Sequence, residues 1–193
     1  MMRSRNAVVA GVLGLAVGAL AGLSAFFAWP VLVQSKALTL PSHPKFAEAR
    51  WPFATDEWGE GKAFRCLAAD CGAEVNVYIR AKIGFCNCLT GVSDDNELDR
   101  LSDFNLMGGQ PAVLGAGHEI KIAWMKGRSR AYAVSEPYRA PGSVLAIAFN
   151  DRCDAIVATA TVAHDRPAAL EPSVIEFLNS EAVVHWAEVT LGL

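Results

Sequence analysis

Five cysteines, Cys66, Cys71, Cys86, Cys88 and Cys153, are the residues of this chain best suited to chemistry. Cys66-x4-Cys71 and Cys86-x-Cys88 supply four thiols in two close pairs. Four thiolates could hold a tetrahedral Zn²⁺ or a soft Cu(I), although neither spacing is the better-attested C-x2-C. A thiol pair cycling between oxidised and reduced states is a second use, and structural disulfides are a third. On an oxidising side of a membrane, disulfides are the default. Five is odd, so at least one thiol stays unpaired within the chain, and spacing alone leaves every connectivity open. Cys86 and Cys88 are too close for an easy bridge to each other. Each therefore reaches Cys66, Cys71 or Cys153, or is the free thiol.

Other chemistry-bearing residues are sparser. Asp94, Asp95, Glu97, Asp99 and Asp103 form an acidic cluster without the D-x-D-x-D-G spacing of a calcium loop. Helix capping and a solvated face account for it, because acids favour the positive end of a helix dipole. His43, His118, His164 and His185 are scattered and form no H-x-x-x-H pair, and His185 beside Trp186 is expected in or near the core. Gly108-Gly109-Gln110 and Gly115-x-Gly117 do not lead from a strand into a helix, which excludes a phosphate loop. The chain has no G-x-S-x-G elbow and no C-x-x-C-H haem attachment.

The elements that position these residues follow a charge-free stretch from Ala7 to Trp29. As a helix its length is about 34 Å, enough for a hydrocarbon core of about 30 Å. Arg3 and Arg5 precede it and Pro30 follows. The expectation is an uncleaved signal anchor, with residues 1–6 cytoplasmic and the rest outside. A cleaved signal peptide ending at Ser35-Lys36-Ala37 is the rival, with an apolar run longer than such peptides carry. Gly11, Gly14, Gly18 and Gly22 share small-residue spacing that suits helix–helix packing in a bilayer, with a second copy or a membrane partner.

Beyond Gln34 the chain carries 15 Lys and Arg against 20 Asp and Glu. That acidic balance excludes a nucleic-acid binder, which needs a basic stripe, and a domain that clings to anionic lipid through basic patches. Pro30, Pro41, Pro44 and Pro52 mark residues 30–52 as a semi-rigid tether, and residues 53–193 as the outer domain. In that domain Lys62 to Ala68 reads as a strand, followed by a turn at Ala69–Gly72. Ala73 to Arg80 alternates cleanly, as a sheet with one buried face does. Cys66 and Cys71 would then face each other across a hairpin.

Asp94 and Glu97 open a helix that carries Leu98, Leu101 and Phe104 to about Asn105. Met107 to Gly117 reads as a Gly-rich loop. Strands follow at His118 to Trp124, Arg128 to Ser135, Ser143 to Phe149 and Cys153 to Ala163, with turns at Lys126-Gly127 and Asn150–Arg152. Runs such as VLAIAF suit central strands covered on both sides. A helix from Pro172 to Asn179 and a strand or helix from Ala182 to Leu191 close the chain. The expected fold class is α+β: one N-terminal transmembrane helix, then a mostly antiparallel sheet layered with two helices.

The element order, with Gly127, Arg128, Arg130 and Tyr132 on one strand and the closing segments VIEFLNS and VVHWAEVTL, resembles the α/β/α sandwich of the photosystem extrinsic PsbP family and the exported DcrB-like lipoproteins. The resemblance spans about residues 73 to 190. It implies an exported accessory or binding module without a common catalytic site. The cysteines and CNCLTGVSDDNELDR have no counterpart in it. The expected function is therefore a non-enzymatic, membrane-anchored accessory or interaction module, in contact with the lipid bilayer through residues 7–29. Its domain would lie on the periplasmic or extracellular side of a cell inner membrane. The alternative is a periplasmic thiol-redox or Zn/Cu-handling protein using Cys66, Cys71, Cys86 and Cys88.

Overall fold

The alternating run AEVNVYIR becomes β3 (Val75–Lys82), in a computed structural model that describes residues 44–108, 110–135, 142–162 and 167–193. These residues fall within one unit of the chain, Leu38–Leu193. Around β3 the described residues build β1 (Ala47–Ala49), β2 (Lys62–Cys66), β4 (Gln110–Val113), β5 (His118–Ile122), β6 (Met125–Ser135), β7 (Gly142–Asp151) and β8 (Asp154–Val162). All pairings are antiparallel, in the order β1-β2-β3-β8-β7-β6-β4. β5 shares an edge of β6 with β4: β5 pairs Met125–Ser129 and β4 pairs Tyr132–Ser135. The helices are α1 (Ala68–Cys71), α2 (Asp95–Leu101), α3 (Pro167–Leu178) and α4 (Glu181–Leu191), with a 3-10 turn at Phe104–Met107.

The two faces of the sheet are covered differently. On one side Val75, Val77, Ile79, Leu145, Ile147, Phe149, Ile156 and Ala158 are buried beneath α3 and α4. Those helices present Leu170, Val174 and Leu178, then Val183, Ala187 and Leu191. A spacing of four residues keeps each set on one helical stripe. On the other side the sheet offers smaller groups, Ala146, Ala148, Ala155 and Val157, beside Tyr132. Cys86, Val92, Leu98 and Leu101 close over them, so this cover is α2 and the loops around it. Burial from both sides explains why β7 and β8 are apolar at consecutive positions.

The expected α+β class, led by a transmembrane helix and layered with two helices, is corrected. The described residues form mostly an antiparallel eight-stranded sheet with short helices, and none of these helices is long and apolar enough to cross a membrane. The stretch from Ala7 to Trp29, with Gly11, Gly14, Gly18 and Gly22, lies outside the described residues. Strands β1 and β4 carry no apolar alternation to announce them. β1 lies between prolines, inside the range read as tether, and β4 holds Pro111 at the sheet edge, where a missing N–H is tolerated.

Several boundaries also move. The two hairpin loops are Ala123-Trp124 and Arg152-Cys153, because Ile122 pairs with Met125 and Asp151 with Asp154. Each loop opens with a residue at φ 52°, a conformation that Ala and Arg do not advertise. Helix α2 stops at Leu101 rather than near Asn105. Helix α3 begins at Pro167 and carries Pro172 inside it, where the helix was expected to start. The closing segment is a helix, α4.

Candidate functional site

The structure sorts the cysteines into two disulfides and one thiol. Cys66 bonds Cys71, joining the end of β2 to the single turn α1; across the hairpin itself Cys66 stands opposite Val75, not Cys71. Cys88 bonds Cys153, tying the loop after β3 to the β7–β8 turn. Cys86 is free and buried. Its backbone N–H donates to the Cys153 carbonyl at 3.1 Å, and its thiol donates to the Arg152 carbonyl at 3.1 Å. Burial pushes the thiol up to about 11, with the Glu97 and Asp154 carboxylates adding to the effect. A thiol held protonated is a poor nucleophile and a poor metal ligand. Among the described residues no group of three or more His, Cys, Asp or Glu could hold a metal ion. His118 and His185 are both exposed, so His185 is not in the core; His43 and His164 lie outside the described residues.

The acidic cluster is largely turned inward rather than solvated. Asp94 caps α2, its carboxylate accepting from the Glu97 N–H at 2.9 Å. Glu97 does not close a capping box. It accepts from the Asn87 N–H at 3.0 Å and pairs with Arg100 at 2.6 Å. The Arg100 contact holds its carboxyl below the usual range. Asp95, Asp99 and Asp103 then step every fourth residue onto the sheet. Asp95 accepts from Arg128 and from the Gly117 N–H, and these two bonds, the Gly117 bond foremost, depress its pKa. Asp99 accepts from Arg130 and from the Tyr132 hydroxyl. A Cβ at Gly117 would lie 2.3 Å from the Asp95 carboxylate and 2.9 Å from the Ser129 carbonyl, so a side chain there would have to displace the Asp95 contact.

Asp103 meets the deepest charge. Arg80, 2% exposed, forks onto Asp103 at 2.7 and 2.6 Å and onto Asp56 at 2.7 and 2.8 Å. The Lys82 ammonium lies 2.8 Å from Asp103 and donates to the Leu101 carbonyl at 2.6 Å. Burial opposes the guanidinium charge, but the four bonds to Asp103 and Asp56 outweigh it and raise the Arg80 pKa. The Arg80 bonds likewise lower that of Asp56. Two cations and two carboxylates balance, and each is hydrogen-bonded. This network fastens residues 56 and 101–103 to the sheet.

A solvent-open region lies at the sheet end where the Ala123-Trp124 and Arg152-Cys153 loops sit together. A groove runs between the Cys88–Ser93 loop and the β5–β6 hairpin. It comprises two adjoining cavities of 480 and 320 Å³ that share Thr90, Lys126 and Asn150. The first is also lined by Ser93, Glu119 and Lys121, the second by Leu89, Trp124 and Arg152.

The loop on its rim is tightly fixed. The Asn87 carboxamide accepts from the Leu89 and Thr90 N–H groups at 2.9 and 3.3 Å, an Asx turn. The Asn150 side chain accepts from the Val92 N–H at 3.0 Å and donates to the Arg152 carbonyl at 2.9 Å. Gly91, at φ 62°, presses against that same side chain, where a Cβ would come within 2.4 Å. On this fixed loop Leu89 is 96% exposed, and Trp124 across the groove is 45% exposed.

Sequence reasoning missed Leu89, Trp124, Lys121, Lys126, Asn150 and Arg152. The one local signal for the loop is Cys-x-x-Gly enclosing a leucine, in Cys88-Leu89-Thr90-Gly91. Together these features describe a disulfide-stapled antiparallel sheet with a solvent-open groove at one sheet end. No protein-family model matches the chain, and no curated protein matches it.

Proposed function

We propose that this protein is a non-catalytic, extracytoplasmic interaction module that docks a partner through the Cys88–Ser93 loop. The observation that carries the reading is Leu89: 96% exposed, yet held by an Asx turn, a disulfide and the Asn150 clamp. Full burial of one leucine against a partner is worth about 1.5–3 kcal/mol. Little of that is spent on ordering a loop that is already ordered. Two disulfides suit an oxidising compartment. The charge-free residues 7–29, with Arg3 and Arg5 before them, would bring the chain to a bilayer with the domain on the far side. The resemblance to exported accessory domains supports the same reading by analogy.

The test is a photo-crosslinking amino acid placed in the full chain at position 89 and, separately, at Val189, which is also exposed but lies on α4. The expected result in intact cells is a discrete crosslinked product from position 89 and none from position 189. Equal products from both positions, or none from either, removes the docking reading. The purified chain should also show one thiol and no stoichiometric zinc or copper. A full equivalent of either metal would favour the metal-handling alternative.

A further inference from the structure

We infer that the groove receives an acidic segment of a protein partner, with an apolar residue of that segment seated between Leu89 and Trp124. This rests on the docking reading above and gives the partner its chemistry. The charge argument starts from register. Lys121 of β5 and Lys126 of β6 are direct cross-strand partners, both are exposed, and both line the larger cavity. Like charges directly opposite each other destabilise a strand pair. Neither lysine forms an ion pair among the described residues.

Two acids line the groove. Glu119 stands two residues from Lys121 on the same strand, opposite Arg128, which Asp95 already engages. Asp151 lies 3.8 Å from Arg152, whose side chain is 86% exposed. Three cations against two carboxylates leave the groove positive, on a chain whose Asp and Glu outnumber its Lys and Arg by 20 to 17. A local positive site on a negative body selects a negative partner and steers its approach.

Shape separates a peptide from a membrane. An anionic bilayer could also attract Lys126, Arg152, Leu89 and Trp124. Recognition of anionic lipid by charge takes clusters of about 4–8 basic residues, whereas this groove has three. The chain's overall negative charge opposes approach to such a surface. The cationic part is a cleft, with Lys121 and Lys126 lining a 480 Å³ cavity, and a flat lipid surface cannot fill it. A narrow chain segment can. Its carboxylates would meet the two lysines while the Thr90 and Ser93 hydroxyls supply hydrogen bonds, and its apolar side chain would cover Leu89.

The experiment uses the full chain in lipid nanodiscs and a fluorescein-labelled peptide of alternating Glu and Ser around a central Leu. A control peptide has Gln at every Glu. Fluorescence anisotropy should detect the Glu peptide and not the Gln peptide. Its affinity should fall several-fold as salt rises from about 0.05 to about 0.3 M. The double variant Lys121→Gln/Lys126→Gln should weaken binding about tenfold with both disulfides retained, and Leu89→Ser should weaken it comparably. Equal binding of the two peptides, or no change in the lysine variant, overturns the acidic-partner inference. If position 89 still crosslinks in cells under that outcome, the docking reading stands without it. Capture of phosphatidylserine vesicles by the disc-held chain that Lys121→Gln/Lys126→Gln abolishes, with no binding of the Glu peptide in phosphatidylcholine discs, would assign the groove to lipid and equally overturn the inference.

Discussion

The two faces of the sheet solve the same problem by different means. Under α3 and α4 the cover is two regular helices, and their stripes at 170, 174, 178 and 183, 187, 191 bury aliphatic side chains, with Glu171 of α3 reaching the exposed His118 at 3.0 Å beside them. On the opposite face the cover is a seven-residue helix and irregular chain, which has little apolar surface of its own. It is fastened instead by carboxylates at 56, 95, 99 and 103 meeting Arg80, Lys82, Arg128 and Arg130, and by the Cys88–Cys153 bond. Regular helices can dock through non-directional burial. A loop whose polar backbone must be placed residue by residue needs directional bonds. The directional face is also the one that holds a loop still while leaving its tip, Leu89, in solvent.

The largest effect that would test this contrast is at Arg80. Arg80→Met leaves Asp103 buried against Lys82 alone and Asp56 with only the Trp58 N–H, and should cost about 3–5 kcal/mol in urea unfolding. Adding Lys82→Met and Asp103→Leu together to that variant should recover part of the loss, because the remaining buried charges are then removed as a pair and neither is left unpaired. A cost below about 1 kcal/mol for Arg80→Met would mean that the ionic face is held by packing after all.

The disulfides give the next contrast, one on each face. Cys88 and Cys153 are 65 residues apart and Cys66 and Cys71 only 5. Chain entropy alone assigns about 4 kcal/mol to the first and about 2 kcal/mol to the second. Replacing Cys88 and Cys153 by Ala should therefore lower the melting temperature more than replacing Cys66 and Cys71. The first replacement should also loosen Leu89 and weaken its crosslinking, while the second leaves crosslinking unchanged. Equal loss of crosslinking in both would disconnect the loop's rigidity from its staple.

How much of this was legible beforehand differs between the faces in the same way. Hydrophobic periodicity reveals burial, so β3, β6, β7, β8 and the stripe of α2 are readable from Val, Ile and Leu positions. It is silent about partners. The step of four through Asp95, Asp99 and Asp103, and the alternation through Arg128, Arg130 and Tyr132, are both plain in the chain. Each alone reads as a solvated face, and only the fold shows that they interlock. Arg80 and Lys82 end a strand whose other face is apolar, so they read as solvent-facing until residues 56 and 101–103 close over them. The hairpin loops Ala123-Trp124 and Arg152-Cys153 lack Gly, Asn or Pro at the turn, which hid the register and with it the groove.

Acid should attack one face and spare the other. Asp56 and Asp95 have pKa values below their ordinary range, through the Arg80 bonds and through the Gly117 and Arg128 bonds respectively. In the unfolded chain they titrate near 3.9. Their contribution is complete above about pH 5 and is lost as pH falls through that value toward the lowered folded ones, where the unfolded state takes up more protons. Tyr132 is shifted upward by burial and by Asp99, so stability should decline again above about pH 10, where the unfolded phenol ionises first. Backbone amide exchange should show α2 and residues 56 and 101–103 losing protection as the pH is lowered toward 3, while α3 and α4 stay protected. Uniform loss across both faces would erase the distinction.

The smallest effect concerns Cys86, which sits under the directional face beside an exposed disulfide half, Cys88. With its pKa pushed up to about 11, only about one thiol in a thousand is ionised at pH 8, and burial blocks access to that fraction. Iodoacetamide at pH 8 should leave the native chain unlabelled and label one cysteine per chain after unfolding without reductant. Cys86→Ser keeps a donor for the Arg152 carbonyl and should change stability by less than about 1 kcal/mol. Cys86→Ala loses both the bond and the sulfur volume, and should cost more. Rapid native labelling would show that the thiol reaches solvent as the loop opens. The cover on this side would then be a gate rather than a clamp, and Leu89 would owe its exposure to motion instead of placement.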